Sequence, residues 1–242
     1  MTSPNILFFG DNHGHFRHII AAVERERPDA IVLLGDVQAQ QPLEVELAPI
    51  LGKTVIRFIP GNHDTDGDFD FRHLFESKLA GANLDGCVED VAGVRIAGLG
   101  GVFRGKIWIP PEAPNFDSYE SWLKATKPRH GESPVIHETQ ARTHRSTIFW
   151  DTYCRLWDQR ADVLVTHEAP SVHPHGFEAI DDLAKAMGVQ ATFHGHHHDS
   201  LNYRSEWDRI GFKAYGVGFC GITDLDGGVV RPGDFDERRA GN

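Results

Sequence analysis

Cysteine is scarce in this sequence. The three cysteines, Cys87, Cys154 and Cys220, are isolated from one another in a chain of 242 residues. A disulfide framework or a cysteine-based zinc site needs paired or closely spaced cysteines, so the sequence favours neither of them. We expect three ordinary reduced thiols.

Long apolar runs are also missing. No stretch approaches the roughly 18 apolar residues that a transmembrane helix needs. The start, "MTSPNILFFGD", lacks both the basic segment and the apolar length of a signal peptide. These features predict a soluble, cytoplasmic protein without a membrane partner.

Basic charge is in deficit, with 24 lysines and arginines against 35 acidic residues and a formal charge of −11. This balance disfavours sequence-independent binding to a nucleic-acid backbone. It does not exclude a phosphate substrate, because bound divalent cations can reverse the field inside a site. The hydrophobic content of 40% is ample for a core, and we expect one domain over residues 1–242.

Short apolar runs alternate with amphipathic segments along most of the chain. Helical periodicity is found at 16–27, about 70–80 and 178–187. The apolar runs predict strands at 6–9, 30–35, 54–60, 93–99, 162–166, 191–195 and 214–218. Strands that alternate with helices favour parallel pairing in a layered α/β fold.

Residues 102–150 interrupt this alternation. The segment contains "IPPEAPNF" and "TKPRHGESP", which are rich in turn-forming residues, and it ends in the polar stretch "HETQARTHRSTIFW". We predict an insertion that is mostly loop and ends in a helix. Its place between two core strands suggests a cap or rim over the functional edge of the sheet.

Histidine is unusually abundant, with 15 residues, and many histidines directly follow predicted strands. One such motif alone could be a turn or a surface tract. Together they are notable, because ligands bind at the carboxyl ends of the strands in open α/β sheets. The motifs are "GDNHG" (Asp11, His13), "GDV" (Asp36), "GNHD" (Asn62, His63, Asp64), "THEAP" (His167) and "GHHH" (His196, His197, His198).

The residue types at these strand ends indicate which class of metal ion could bind. Carboxylate, imidazole and amide ligands together suit borderline ions such as Mn²⁺, Fe²⁺ or Zn²⁺, whereas an oxygen-only set would favour Mg²⁺ or Ca²⁺. Even seven ligands from this set would be too many for one tetrahedral ion. Two ions that share one carboxylate would use seven, as in many phosphoryl-transfer sites.

The ordered series D-x-H, G-D, G-N-H-D, H and G-H-x-H, from Asp11 to His198, resembles the calcineurin-like metallophosphoesterases. The resemblance implies a four-layer α-β-β-α sandwich of two mixed β-sheets flanked by helices, with a dimetal site at the carboxyl edge of the strands. In this family the matching residues bind two divalent ions, here Mn, Fe, Zn or Ni, with Mn the expected ion in vitro. The implied ligands are Asp11, His13 and His198 for the first metal, Asn62, His167 and His196 for the second, and Asp36 as the bridge.

The resemblance also implies hydrolysis of phosphate mono- or diesters by a metal-bridging hydroxide. His63 would protonate the leaving oxygen, and Asp64 would hold the tautomer of His63 through a hydrogen bond. The chain reads "GDVQAQQ" and has Asp64 where the Ser/Thr phosphoprotein phosphatases have G-D-x-x-D-R-G and Glu. It therefore looks more like the branch with small phosphoesterases, and we expect a small phosphoester or nucleotide-like substrate.

Two other functions remain open at this point. A non-catalytic metal-binding scaffold of the same fold would have no need of an acid, and both His63 and Asp64 are present. A nuclease of the same family is disfavoured by the net charge and by the lack of a basic stripe with interleaved aromatic residues. The sequence does not determine the oligomeric state.

Several other polar residues have weaker claims to a role. Arg104 or Lys106 could bind a substrate phosphate, since they follow the glycine-rich "GLGGVF", although a solvated loop cation is equally consistent. We expect His15 and His197 either to contact substrate or a metal ligand or to be exposed. His194 is expected to be a hydrogen-bonded core residue or to support a metal ligand. His173 and His175 have a spacing that could bind metal but are expected to line a rim, and Arg142 and Arg145 are expected on a polar helix face.

Overall fold

The computed structural model describes residues 4–126 and 134–236. These residues contain ten strands and eight α-helices. The strands are β1 Ile6–Phe9, β2 Ala30–Leu33, β3 Val55–Phe58, β4 Val88–Val91, β5 Val94–Leu99, β6 Val163–Thr166, β7 Ala191–His194, β8 Lys213–Gly216, β9 Ile222–Asp224 and β10 Val229–Arg231. The helices are α1 Arg17–Glu26, α2 Leu43–Glu46, α3 Asp68–Phe75, α4 Tyr119–Ala125, α5 Pro134–Thr143, α6 Trp150–Trp157, α7 Glu178–Met187 and α8 Trp207–Ile210.

The strands form two mixed sheets of five strands each. The first has the order β10-β9-β1-β2-β3, in which β1, β2 and β3 are parallel and β9 runs antiparallel to β1. The second has the order β4-β5-β6-β7-β8, with only β4 antiparallel. The sandwich of two mixed sheets flanked by helices is confirmed, and the single parallel sheet expected from the alternation alone is wrong.

The central strands are buried on both faces, which explains their continuous apolar runs. In β1, Ile6 and Phe8 point between the two sheets, where Phe8 stacks on Phe193 of β7 at 3.8 Å between ring centroids. Leu7 and Phe9 point the other way, into the layer that includes residues of α1. A third cluster covers the outer face of the second sheet and includes residues of α6 and α7.

All seven predicted strands and all three predicted helices are present, with ends displaced by a few residues. The strands that the sequence did not predict are β4, β9 and β10. They are three or four residues long and carry polar or charged side chains at partly exposed positions. Each pairs antiparallel at or near a sheet edge, where one-sided burial leaves only a weak apolar signal.

The insertion at 102–150 is more helical than predicted. It contains α4 and α5 as well as a final helix that begins at Trp150. Ser118 caps α4 by accepting the Ser121 N–H, a short local signal inside a proline-rich region. Trp122 and Phe149 are buried in the outer core, so the described part of the insertion belongs to the packed structure. Residues 127–133 of the insertion lie outside the described residues.

No helix in the described ranges combines the length and the apolar content needed to cross a bilayer.

Candidate metal centre

The loops that follow five strands carry all seven predicted metal ligands. In the first sheet, β1, β2 and β3 are followed by the loops of Asp11, Asp36 and Asn62. In the second sheet, β6 and β7 are followed by those of His167 and His196. Because these strands are parallel within each sheet, their carboxyl ends share an edge. The two edges meet at one site.

The ligand atoms form two overlapping groups, and Asp36 belongs to both. One group is Asp11, His13, Asp36 and His198; the other is Asp36, His167 and His196. In each group the candidate atoms lie within 4.8 Å of one another. The Asn62 side-chain oxygen is 3.1 Å from Nε2 of His167, which adds the amide to the second group. The structure thus brings together all seven residues predicted from the sequence.

Two of these histidines have their ring orientation fixed from behind. Nδ1 of His13 lies 2.5 Å from Oε1 of Gln38, and Nδ1 of His167 lies 2.8 Å from the Leu34 carbonyl oxygen. An amide or carbonyl oxygen only accepts, so each Nδ1 donates, and in the neutral ring that binds a metal each Nε2 keeps a free electron pair. Both Nε2 atoms face the other ligands. This is the usual arrangement behind metal-binding imidazoles.

The backbone of the site is in conformations that most residues avoid. Asp11, His13, Asp36, His196 and His198 all have positive φ, between 34° and 71°. Left-handed backbone is uncommon outside glycine, although Asp and His tolerate it better than most residues. Such conformations concentrate at functional sites, where the surrounding structure imposes them. Five of the seven predicted ligands share this feature.

Gly61 allows the second and third loops to approach closely. A Cβ atom at this position would lie 2.2 Å from both the backbone nitrogen and Oδ1 of Asp36. Such a contact is far inside van der Waals distance, and its partner atoms include rigid backbone. The close approach therefore requires glycine.

We expect Gly61→Ala to displace Asp36 and to lower both metal content and stability. The added methyl group cannot be accommodated without moving the loop of Asp36, and overpacking of this kind costs about 1–3 kcal/mol. Gly81→Ala is the matched control, because its Cβ would meet no atom within 4 Å. Elemental analysis and urea unfolding of the two variants measure the difference. Equal metal content in both would contradict the close-approach argument.

The charges buried in the site suit a cationic ligand. Asp11, Asp36 and Asp64 are each at most 1% exposed. Burial raises the pKa of Asp11 to about 7, with repulsion from Asp36 adding to it and the attraction of His167 opposing it. Burial alone would lower the pKa of His167, but Asp36 and Asp11 raise it to about 10. Oδ2 of Asp11 is buried and makes no hydrogen bond within the described residues. The ligand atoms thus fit divalent cations, which would give Oδ2 of Asp11 a partner and compensate the buried negative charge.

The carboxylate that meets the His63 ring is Asp66 and not Asp64. Nδ1 of His63 lies 2.5 Å from Oδ2 of Asp66. Asp64 instead accepts the backbone N–H groups of Gly61 at 2.7 Å and Gln38 at 2.8 Å, and so ties two ligand loops together. The prediction that the His63 ring donates a hydrogen bond to Asp64 is therefore wrong. It fails because Asp64 is the third residue of a 3₁₀ turn, and its side chain returns to the start of that turn.

His63 sits beside the ligands and is partly open to solvent. Its side chain is 44% exposed, and its backbone N–H donates to Oδ1 of Asp36 at 2.8 Å. Partial burial lowers the pKa of His63, but the hydrogen bond with Asp66 and the charges of Asp36 and Asp66 outweigh it, so the net pKa is raised. The surroundings favour a protonated ring.

Glu168 is a site residue that the sequence analysis missed. One of its oxygens accepts the Phe103 N–H at 3.0 Å, and the other lies 4.0 Å from Nε2 of His196. Burial raises the pKa of Glu168 to about 7, against the lowering effects of the Phe103 hydrogen bond and His167. Its position directly after His167 in "THEAP" was the available signal.

Two arginines of the insertion lie beside the site. Nε of Arg104 donates to Oγ1 of Thr147 at 3.0 Å, and burial lowers the pKa of Arg104 while Asp66, Glu168 and Asp36 raise it. Arg142 was expected on a polar helix face, and this expectation is wrong. It donates to the backbone oxygens of Thr65 and Asp66 at 3.3 Å and pairs with Asp68. Arg142 thus ties α5 to the segment that follows His63.

The other histidines lie outside the two ligand groups. His194 is fully buried, with Nε2 at 3.2 Å from the Tyr203 hydroxyl, which fits the predicted core role. His197 stacks on His173 at 3.8 Å, and His15 is exposed. Arg145 lies over the Tyr119 ring at 3.9 Å, and Lys106 is exposed.

The chain matches a known protein family over most of its length. A family model described as calcineurin-like phosphoesterase matches residues 4–200, most of the chain. The chain belongs to the calcineurin-like phosphoesterase family. Family membership makes it a metal-dependent hydrolase of phosphoric esters and implies a small phosphoester substrate.

Similar proteins agree with this assignment in fold and length. An uncharacterized protein of Haemophilus influenzae is 40% identical over 228 residues, covering 93% of this chain and 96% of that protein. The crystal structure of TT1561 of Thermus thermophilus aligns with a TM-score of 0.57 at 14% identity, covering 93% and 96% of the two chains. At this low identity the second likeness supports the fold alone.

Proposed function

We propose that this calcineurin-like phosphoesterase hydrolyses phosphate mono- or diesters of small or nucleotide-like molecules at a two-metal centre. The observation that carries the proposal is the membership of Asp36 in both ligand groups. A carboxylate shared in this way fits a bridge between two cations. Asp11, His13 and His198 would complete one ion's ligands, and Asn62, His167 and His196 the other's.

The chain's own residues would build the site before substrate arrives. Gln38 and the Leu34 carbonyl aim His13 and His167, and Asp64 ties the loops of Gly61 and Gln38. When bound, two divalent ions, of which manganese is the expected one in vitro, would activate water as the nucleophile and offset charge on the phosphoryl oxygens.

His63 would act as the general acid, oriented by Asp66. The hydrogen bond from Nδ1 to Asp66 leaves Nε2 as the ring nitrogen that can give a proton to the leaving oxygen. Its raised pKa favours the protonated form that an acid needs. Asp66 would therefore be the positioning residue for His63, a role that the sequence analysis gave to Asp64.

The insertion would form a rim beside this site and remain part of one domain. Its helix α5 reaches the segment after His63 through Arg142. Arg104 is partly buried near Asp66 and Asp36 and could offer its terminal guanidinium nitrogens to a substrate phosphate. A cytoplasmic location belongs to the same proposal.

A scaffold or nuclease role has less support. A scaffold would not need a hydrogen-bonded His63–Asp66 pair with an exposed imidazole. A nuclease would need a cationic surface, whereas the chain carries a net charge of −11.

A panel of substrates and metals tests this proposal. Purified protein stripped with a chelator should regain hydrolysis of aryl phosphate mono- or diesters when Mn²⁺, Zn²⁺, Fe²⁺ or Ni²⁺ is restored, and less with Mg²⁺. Single-stranded DNA should be a poor substrate. The proposal is wrong if no metal restores hydrolysis of any ester, or if nucleic acid is cleaved far better than every small ester.

A further inference from the structure

A second concave site lies away from the metal centre, on the outer side of the second sheet. It is a cavity of about 540 Å³ between the insertion, α6 and the start of α7. This volume is within the range of small-molecule pockets. None of the seven predicted metal ligands lines it.

Aromatic side chains form most of the wall. Three of the chain's five tryptophans line the cavity, together with Tyr153 and Phe177. Trp108 and Tyr153 are almost fully buried, whereas Trp150 and Trp157 are 38% and 40% exposed. The buried rings thus contribute to the packed wall, and the exposed rings are open to solvent.

The rings present surfaces in more than one direction. Trp150 and Tyr153 are nearly parallel, at 20° and 5.7 Å between centroids. Trp108 is perpendicular to both, at 89° and 77°. At these separations the three rings pack directly against one another and form one continuous aromatic wall, and the ring surfaces that Trp150 and Trp157 leave open to solvent can attract a cation.

The charged side chains that line the cavity are Glu178 and Asp182, both acidic. They are four residues apart on α7, so they lie on the same face of the helix. Both are exposed and neither forms a salt bridge with any residue in 4–126 or 134–236, although the charge of Glu178 acts on Arg209 of α8. Glu178 also stabilises the amino end of α7 as an acid in the first turn. Asp182 lies one turn further on, where that effect is weaker.

We propose that this cavity is a binding site for a small organic cation with an apolar body, such as an alkylated ammonium group. The aromatic walls would contact the alkyl groups and attract the charge, and Asp182 and Glu178 would balance it. An anionic ligand would meet only like charge among the lining residues. The inference concerns a site separate from the phosphoester chemistry and does not depend on it.

Two residues, Phe103 and Glu168, lie between the cavity and the metal centre. The ring of Phe103 contacts Trp108 at 5.1 Å and Phe177 at 4.7 Å between centroids. The Phe103 N–H donates to Glu168, whose other oxygen lies 4.0 Å from His196. The proposed cation site and the metal ligands therefore do not touch, and a change at one site could reach the other only through these two residues.

Choline is a suitable probe, with 3,3-dimethyl-1-butanol as its uncharged isostere. The readout is the set of five indole N–H signals in ¹H–¹⁵N NMR spectra of the full chain, assigned by single Trp→Phe variants. We expect choline to shift the signals of Trp108, Trp150 and Trp157 saturably, with those of Trp122 and Trp207 unchanged. The alcohol should bind at least about tenfold more weakly, because it lacks the charge.

A carboxylate variant separates charge from shape. Asp182→Asn should weaken choline binding by about threefold to tenfold and leave binding of the alcohol unchanged. Asp208→Asn, at an exposed acid on α8, is the matched control and should change neither. Equal affinity for choline and the alcohol, no saturable shift, or a dimer that buries Trp157 in light-scattering and NMR measurements would each overturn the proposal.

Discussion

Asp36→Asn should remove metal and turnover together. Asp36 is the one residue in both ligand groups, so replacing its carboxylate by an amide removes a negative charge from both ions at once. Metal content should fall from two ions per chain to one or fewer. Turnover should fall by at least about 10³-fold, since loss of a single transition-state donor already costs about 10²- to 10³-fold.

Asp162→Asn is the control for this change. Both aspartates accept a hydrogen bond from a backbone N–H group. Asp36 accepts the N–H of His63 through Oδ1, and Asp162 accepts the N–H of Arg95 through Oδ2 at 2.9 Å. It precedes β6, however, and so lies at the opposite end of that strand from His167. This variant should keep both ions and normal turnover. If Asp36→Asn also keeps both, the shared-carboxylate assignment is wrong.

His63→Gln should leave both ions bound and still slow hydrolysis by about 10²- to 10⁴-fold, the usual contribution of a positioned proton donor. The loss should grow with the pKa of the leaving group, because an alkoxide needs the proton and a nitrophenolate does not. Measuring kcat for the wild type and the variant over a series of esters tests this dependence. A penalty that is equal for all leaving groups would contradict the role of acid.

Asp66→Asn should reproduce part of the same pattern. In the proposed mechanism Asp66 acts on the leaving group only through the His63 ring. The rate loss in Asp66→Asn should therefore be smaller than in His63→Gln, and the double variant should be little slower than His63→Gln alone. Asp64→Asn should behave differently, since Asp64 holds backbone groups of two ligand loops. We expect it to lower metal content. Additive losses for Asp66 and His63 would show that Asp66 does not act through the ring.

The meeting of the seven proposed ligands at one site could be predicted from the sequence because most of them follow a strand with a strong apolar pattern. β1, β2 and β6 are entirely buried, so their ends, and the side chains after them, are easy to locate. Parallel strands then bring those side chains to one edge. The two-sheet arrangement came from the resemblance to a family, since the antiparallel edge strands carry too little apolar pattern.

The partner of His63 could not be predicted, because it depends on the local turn. Residues 62–65 form a 3₁₀ helix, in which side chains three positions apart lie on the same side. The ring of His63 therefore meets Asp66, whereas the adjacent Asp64 points elsewhere. Sequence adjacency suggested the wrong aspartate. The contacts of Arg142 could not be predicted either, because its partners are the backbone oxygens of Thr65 and Asp66, which are distant in sequence.

Anomalous diffraction from crystals grown with Mn²⁺ tests most directly whether one carboxylate serves two ions. If Asp36 is shared, two anomalous peaks should appear about 3.5–4 Å apart, each within bonding distance of an Asp36 oxygen. Asp11, His13 and His198 should surround one peak, and Asn62, His167 and His196 the other. A single peak, or two peaks of which only one contacts Asp36, would contradict this assignment.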